Sequence, residues 1–141
     1  MKDQQTKCSK SLLAIVDLAR LGALLPRRFE SGLPGGLGFN DFMILFHLHQ
    51  SSSGKLRRLD LAEKLGLTAS GITRLVAPLE KLGIVRREES EHDGHVVYVA
   101  LARGGKRLFA EAIETAEHNS EKIIPRERAD AYQELASNIG L

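Results

Sequence analysis

Apolar residues recur along this chain with the period of helices, except in two β-branched runs near residues 84–88 and 95–101. The first helix is predicted over Ser11–Phe29, with Ser9 or Ser11 as its cap. Its middle, Leu12 to Leu25, is apolar around nearly the whole circumference, which demands burial on more than one side. In so small a chain one side can pack on the domain and the other needs a partner. Homodimerisation is the economical reading, and a central helix of a monomer is the alternative. Pro26 is expected to kink this helix or end it. The glycine-rich run 32–38 predicts a loop. It has no strand before it and no Lys-Ser/Thr after it, so it is not a phosphate cradle.

A second helix opens at Phe39-Asn40-Asp41-Phe42, with Asn40 as its cap, and runs to Gln50. Phe42, Leu45, Phe46 and His49 share a face at helical spacing. His47 and His49 stand two apart and point away from each other, so they cannot grip one metal, and no metal site is predicted. Phe42, Phe46, His47 and His49 are the candidates for the wall of a ligand pocket. Ser51–Gly54 predicts a turn.

The next stretch is denser in meaning. Leu56-Arg57-Arg58 reads as an extended entry, followed by a short helix over Leu59–Leu65 with Leu61, Ala62 and Leu65 inward. Gly66 ends that helix, Leu67 packs into the turn, and Thr68 caps a second helix over Ala69–Leu82 that Gly83 stops. Two short helices joined by a glycine-containing turn form a helix-turn-helix. Ile72, Leu75, Val76, Leu79 and Leu82 hold the second helix in the core. On its other side Thr68, Ala69, Ser70, Gly71, Thr73 and Arg74 are small, polar or basic, and no acid appears until Glu80. Small side chains let a helix N-terminus sink into the major groove, where its amides and hydroxyls meet phosphates. Arg74 suits a guanine edge or a phosphate. Pro78 removes the hydrogen bond to the Arg74 carbonyl and is expected to kink the helix beyond the contact residues. A strand over Ile84–Glu88, a turn over Glu89–Gly94 and a returning strand over His95–Leu101 then make a hairpin. The chain closes with a long helix from Arg103 to Ile124, a break at Pro125, and a last helix over Arg126–Ile139.

Composition narrows this reading. The sequence is 43% hydrophobic but only 5% aromatic, so its core is mostly aliphatic, as suits packed helices. The net charge of +2 announces no polyanion, but its distribution does. Between Lys55 and Arg87 eight cations face three acids, a local surplus of +5 that leaves −3 for the rest. No stretch approaches the ~18 apolar residues of a membrane span. The polar start lacks the apolar run of a secretory signal, so a cytoplasmic location is expected. The single cysteine, Cys8, excludes a disulfide within this sequence. A reactive thiol there would draw on Lys7, Lys10 and the helix start, and an exposed cysteine with no special role is the plainer reading. No G-x-S-x-G elbow and no carboxylate pair served by a histidine is present, so neither enzyme activity nor a cofactor is expected.

The run from Asp60 to Val76, its continuation Leu79-Glu80-Lys81-Leu82-Gly83-Ile84-Val85-Arg86-Arg87, and the spacing to Asp93 and Gly104-Gly105 resemble the MarR family of bacterial transcriptional regulators. That resemblance implies a mainly α fold with a small β-hairpin wing (α+β): a winged helix-turn-helix plus a helical dimerisation bundle. It implies one domain over 1–141, with dimerisation helices at 11–31 and 103–141 and the winged unit at 39–101. It further implies a homodimer that binds double-stranded DNA at a near-palindromic operator, acting as a repressor relieved by a small aromatic or anionic effector. The DNA contacts would be Arg57, Arg58, Thr68, Ala69, Ser70, Gly71, Thr73, Arg74, Arg86, Arg87, His92 and His95. Three features depart from the family. His95 stands where family wings carry arginine, after Gly94 where a basic residue is common. Glu88, Glu89, Glu91 and Asp93 make the hairpin acidic, and Pro78 interrupts the reading helix. An acidic wing is repelled by phosphates. These departures motivate the alternative of a protein-interaction module with weak or lost DNA binding.

Overall fold

The fully buried side chains gather around one helix, α2 (Phe39–Gln50). In the computed structural model, which describes residues 6–141, α1 (Lys10–Glu30) precedes it. After it come β1 (Lys55–Arg57), α3 (Arg58–Leu65), α4 (Ala69–Lys81), β2 (Val85–Glu89), β3 (Val97–Leu101), α5 (Arg103–Ile123) and α6 (Arg126–Asn138). The strands form one antiparallel sheet in the order β1-β3-β2. The fold is mainly α with a small sheet, as the apolar periodicity implies. The expected hairpin has gained a third strand, because Leu56 pairs with Val99 and draws the entry segment onto β3.

From α2 the core spreads in two directions. Ile44, Leu45 and Leu48 are fully buried with Leu61, Ile72, Val85 and Val99, which belong to the helix-turn-helix and its sheet. On the bundle side, Phe42 packs against Phe29 of α1 and Phe109 of α5, with ring centroids 5.0 and 5.6 Å away. The face predicted from Phe42, Leu45, Phe46 and His49 is therefore too narrow. Ile44 and Leu48 are core, whereas His49 is exposed with its ring 4.6 Å from that of Phe109. His47 is half-buried beside the edge of Phe46. Burial, and after it the charge of Lys64, push the His47 imidazole below its ordinary range.

Local signals set most helix ends. Ser9 caps α1 by accepting from the Leu12 amide at 3.1 Å. Gly66 and Gly83 end α3 and α4 in the left-handed region, with φ of +67° and +72°. Helix α1 runs through Pro26 to Glu30 and does not end there. The proline leaves the Gly22 carbonyl without its partner, but Gly22 is exposed and water can take that bond. Pro78 likewise lies inside α4, which stays one helix to Lys81. Helix α2 starts two residues early, after Gly38 and not at an Asn40 cap. Asp41 accepts from the Gly38 amide at 2.9 Å and Glu30 from the Phe39 amide at 2.6 Å, so two carboxylates hold the end that Asn40 was expected to hold. Strand β3 begins at Val97 and not at His95, because Asp93 accepts from the amides of His95 and Val96 and closes the turn there. Leu67 and Leu82, expected inside, are exposed at the two helix ends.

The two ends of α1 differ. Its C-terminal end is sewn down: Asn119 of α5 donates to the Phe29 and Ser31 carbonyls, each at 2.7 Å. From Lys10 to Arg20 every residue is exposed, including Leu12, Leu13, Ile15 and Val16. Helix α6 has no buried residue, and Tyr132, Leu135 and Ile139 lie open.

Helix α5 starts against the backbone that links α4 to β2. The Ala102 amide donates to the Ile84 carbonyl at 3.0 Å, and a Cβ on Gly105 would overlap that same carbonyl oxygen. One on Gly104 would lie 2.8 Å from the Gly83 carbonyl oxygen. Gly105→Ala should therefore lower stability by about 2 kcal/mol or more, read as a lower urea midpoint at unchanged slope. A second expectation concerns His47. The unfolded chain protonates it near pH ~6.5, while the folded chain resists protonation. Its effect on stability is absent above that pH, turns unfavourable as pH falls below it, and reaches its full size once pH is below the folded value. His47→Gln should flatten the fall in urea midpoint between about pH 7 and pH 5; an identical fall in both proteins would contradict this.

Candidate nucleic-acid interface

The exposed start of α4 is organised by its own cap. Thr68 Oγ1 accepts from the Gly71 amide at 3.0 Å and lies 3.2 Å from Ser70 Oγ. A side chain at 71 would begin only 3.2 Å from that Thr68 oxygen, so glycine keeps the cap tight. Thr73 Oγ1 donates to the Ala69 carbonyl at 3.1 Å and accepts from Arg58, which reaches over from α3 at 2.8 Å. Arg74 is exposed and enters none of the ion pairs among the described residues. Thr68, Ala69, Ser70, Gly71, Thr73, Arg74 and Arg58 thus lie together: one helix start, without acid in its first turn, and a guanidinium braced against its second turn.

The remaining cations do not form one patch with them. Neighbours on a strand point to opposite faces, so Arg86 and Arg87 diverge. Arg87 stands opposite Val99 on the face that meets the helices, and its Nε lies 2.8 Å from Glu80 of α4. Arg86 stands opposite Ala100 on the outer face, donating to the Leu101 carbonyl at 2.7 Å and to Glu88 at 3.5 Å. Arg57 shares that outer face and grips Asp60 at 3.2 Å. The hydrogen bond from Arg57 holds the Asp60 carboxyl below the usual carboxylate range. His92 and His95 are exposed in the hairpin turn, beside Glu91 and Asp93.

Lys55 carries a role that sequence reasoning missed. Its ammonium sits 3.1 Å from Glu88 and 4.8 Å from the centre of the Tyr98 ring. Lys55 and then Arg86 hold Glu88 below the usual carboxylate range, so one of the four wing acids is internally neutralised. The pairing depends on β1 joining the sheet, which three residues of sequence do not announce.

The four residues proposed for a ligand wall are divided. His49 lines a hollow of about 510 Å³ with Leu48, Leu101, Lys106 and Phe109, where α2 meets α5. Phe42 and Phe46 line a separate hollow of about 220 Å³ with Met43 and Ile113. His47 borders neither hollow. A third, of about 450 Å³, lies between α1, α5 and α6 and includes Leu25, Ile123, Arg126 and Tyr132. The sequence reading placed those residues in the dimerisation helices and saw no cavity. Cys8 is exposed, and among the described residues no three His, Cys, Asp or Glu side chains gather as metal ligands. No described helix is long and apolar enough to cross a membrane.

Comparison with known proteins agrees with this geometry. Residues 35–94, from the loop before α2 to the hairpin turn, match the MarR family. An HTH-type transcriptional regulator of Bacillus subtilis, YfiV, is 33% identical over 90 residues, which are 61% of this chain and 56% of that protein. The aligned part thus spans little more than half of that relative. The crystal structure of the transcriptional regulator BldR from Sulfolobus solfataricus superposes with a TM-score of 0.83 at 24% identity, covering 96% of this chain and 97% of that one. Sco3205, a MarR family transcriptional regulator from Streptomyces coelicolor solved in complex with DNA, gives 0.80 at 21% identity, covering 98% and 91%. At such identities the two structures show a shared fold. The family match falls on the helix-turn-helix itself, and the chain as a whole shares the fold of MarR family transcriptional regulators.

Proposed function

We propose that the chain is a cytoplasmic, homodimeric, sequence-specific DNA-binding regulator that reads a near-palindromic operator with the start of α4. The observation that carries the reading is the exposed, acid-free start of α4 from Thr68 to Arg74, with Arg58 braced beside it. Such a turn presents amides, hydroxyls and a guanidinium to phosphates and base edges at once. The dimer is supported by apolar surface that the single chain leaves open: the N-terminal half of α1, Tyr132 and Leu135 of α6, and Ile139 just after it. Surfaces of that kind are rarely left bare. A two-fold dimer with its reading helices one DNA turn apart, ~34 Å, would match operator half-sites.

The action proposed is repression, relieved by a small aromatic or anionic effector. Support comes from the hollow beside His49 and Lys106, which has an apolar floor and sits where α5 leaves the reading unit. An effector there acts only if it binds one spacing of the reading heads better than the other.

Genomic fragments selected by the purified protein at ~0.15 M salt should share an inverted repeat with half-sites one turn apart. Recovery of nothing by a folded dimer would favour a protein-interaction module, the reading to which the acidic tip of Glu89, Glu91 and Asp93 points. On a recovered site, Arg74→Ala should cost about 1–3 kcal/mol if Arg74 reads a base, and an equal loss on all sequences would make it a phosphate contact. Ile15→Glu should halve the mass of the native species in light scattering, because it puts a charge on the uncovered side of α1.

A further inference from the structure

We infer that the cleft between Arg58 and Arg87 is a clamp for one backbone phosphate of a DNA strand, and that Glu80 is the internal carboxylate which that phosphate displaces. The inference rests on the DNA-binding reading and assigns the reading head its anchoring point.

Three elements supply the polar side chains of the cleft. Arg58 comes from the start of α3, Thr73 from the second turn of α4, and Arg87 from β2. Val76, Val97 and Val99 line it between them, and its volume is about 70 Å³. That is room for roughly two waters, or for one tetrahedral oxyanion. No acidic residue lines it. Strand alternation carries the first step. Arg87 shares the helix-facing side of the sheet with Val99, so its guanidinium emerges between sheet and α4 and not on the sheet's outer face.

Two further contacts prepare the site. The Thr73 hydroxyl is fixed by donating to the Ala69 carbonyl, and its free lone pair then accepts from Arg58. Arg58 is thereby held through a single N–H, with its other donors left for an anion. Arg87 is held by Glu80 at 2.8 Å, but both side chains are substantially exposed. An exposed pair of that kind contributes little, whereas a guanidinium meeting a phosphate can make two parallel charge-assisted bonds. Exchange of Glu80 for phosphate is therefore downhill. The same reasoning excludes two neighbours. Arg57 is engaged with Asp60, Arg86 with the Leu101 carbonyl and Glu88, and both lie on the outer face of the sheet.

The test uses the full chain and a fluorescent random-sequence duplex of about three helical turns, titrated over a salt series. Log affinity should fall with log salt less steeply in the double variant Arg58→Ala/Arg87→Ala, by about 0.9 per reading head engaged, because one neutralised phosphate is lost. Each single variant should weaken binding with a smaller change of slope. Arg57→Ala and Arg86→Ala should keep the slope of the unaltered protein. Glu80→Gln removes the competing carboxylate and should tighten binding up to about fivefold with the slope retained. Should Arg87→Ala unfold, Arg87→Lys serves in its place: slope retained, affinity lowered, because an ammonium lacks the paired donors. An unchanged slope in the double variant, against a salt-dependent unaltered protein, would overturn the clamp and leave the DNA reading standing. An unaltered protein that binds no duplex at any salt would overturn the DNA reading, and the clamp with it.

Discussion

Where α5 begins, two stretches of backbone touch with no side chain between them. The Ile84 carbonyl receives the Ala102 amide and has the Cα of Gly105 against it. Side chains can swing to relieve crowding, but backbone cannot, so this contact sets the direction in which α5 leaves the sheet. Helix α5 has 21 residues and is therefore about 31 Å long. A small change of angle at its start is magnified at its far end, where Asn119 holds α1. The junction thus helps to set where the bundle lies relative to α4.

The second constraint is that bundle and reading unit share a core. Helix α2 buries Ile44 and Leu48 among residues of α3, α4 and the sheet, while Phe42 packs with Phe29 and Phe109. A helix with both sides in use cannot shift against one neighbour without disturbing the other. The hollow beside His49 lies between α2 and α5, the two elements that both halves depend on.

What could be read in the sequence was what depends on near neighbours. The turn between α3 and α4 and the end of α4 were legible because Gly66, Thr68 and Gly83 act within a few residues of themselves. The cap of α2 was not: Asn40 has the right chemistry, but Glu30, nine residues back, and Asp41 take the work from it. Strand β1 is three residues long and exists only because Val99 and its neighbours are there to pair with. Charge was legible in amount and not in direction. A count along the chain adds Arg86 to Arg87, whereas the pleat of β2 sends one to the outer face and the other towards α4. The apolar girth of α1 was legible as an excess, and the structure locates that excess in the half before Leu21.

Helix α4 is stopped at both ends, by the Thr68 hydroxyl in front and by a left-handed Gly83 behind. It is a rod of 13 residues, about 20 Å long, whose two stops oppose its growing by a turn when it meets a partner. Many helices that meet nucleic acid adapt by ordering or lengthening on contact, and this one has little such freedom. Any mismatch between the rod and a groove must then be taken up mainly on the other side, by bending or by a change in groove width. Base steps that the protein never touches would enter the choice of site through their stiffness.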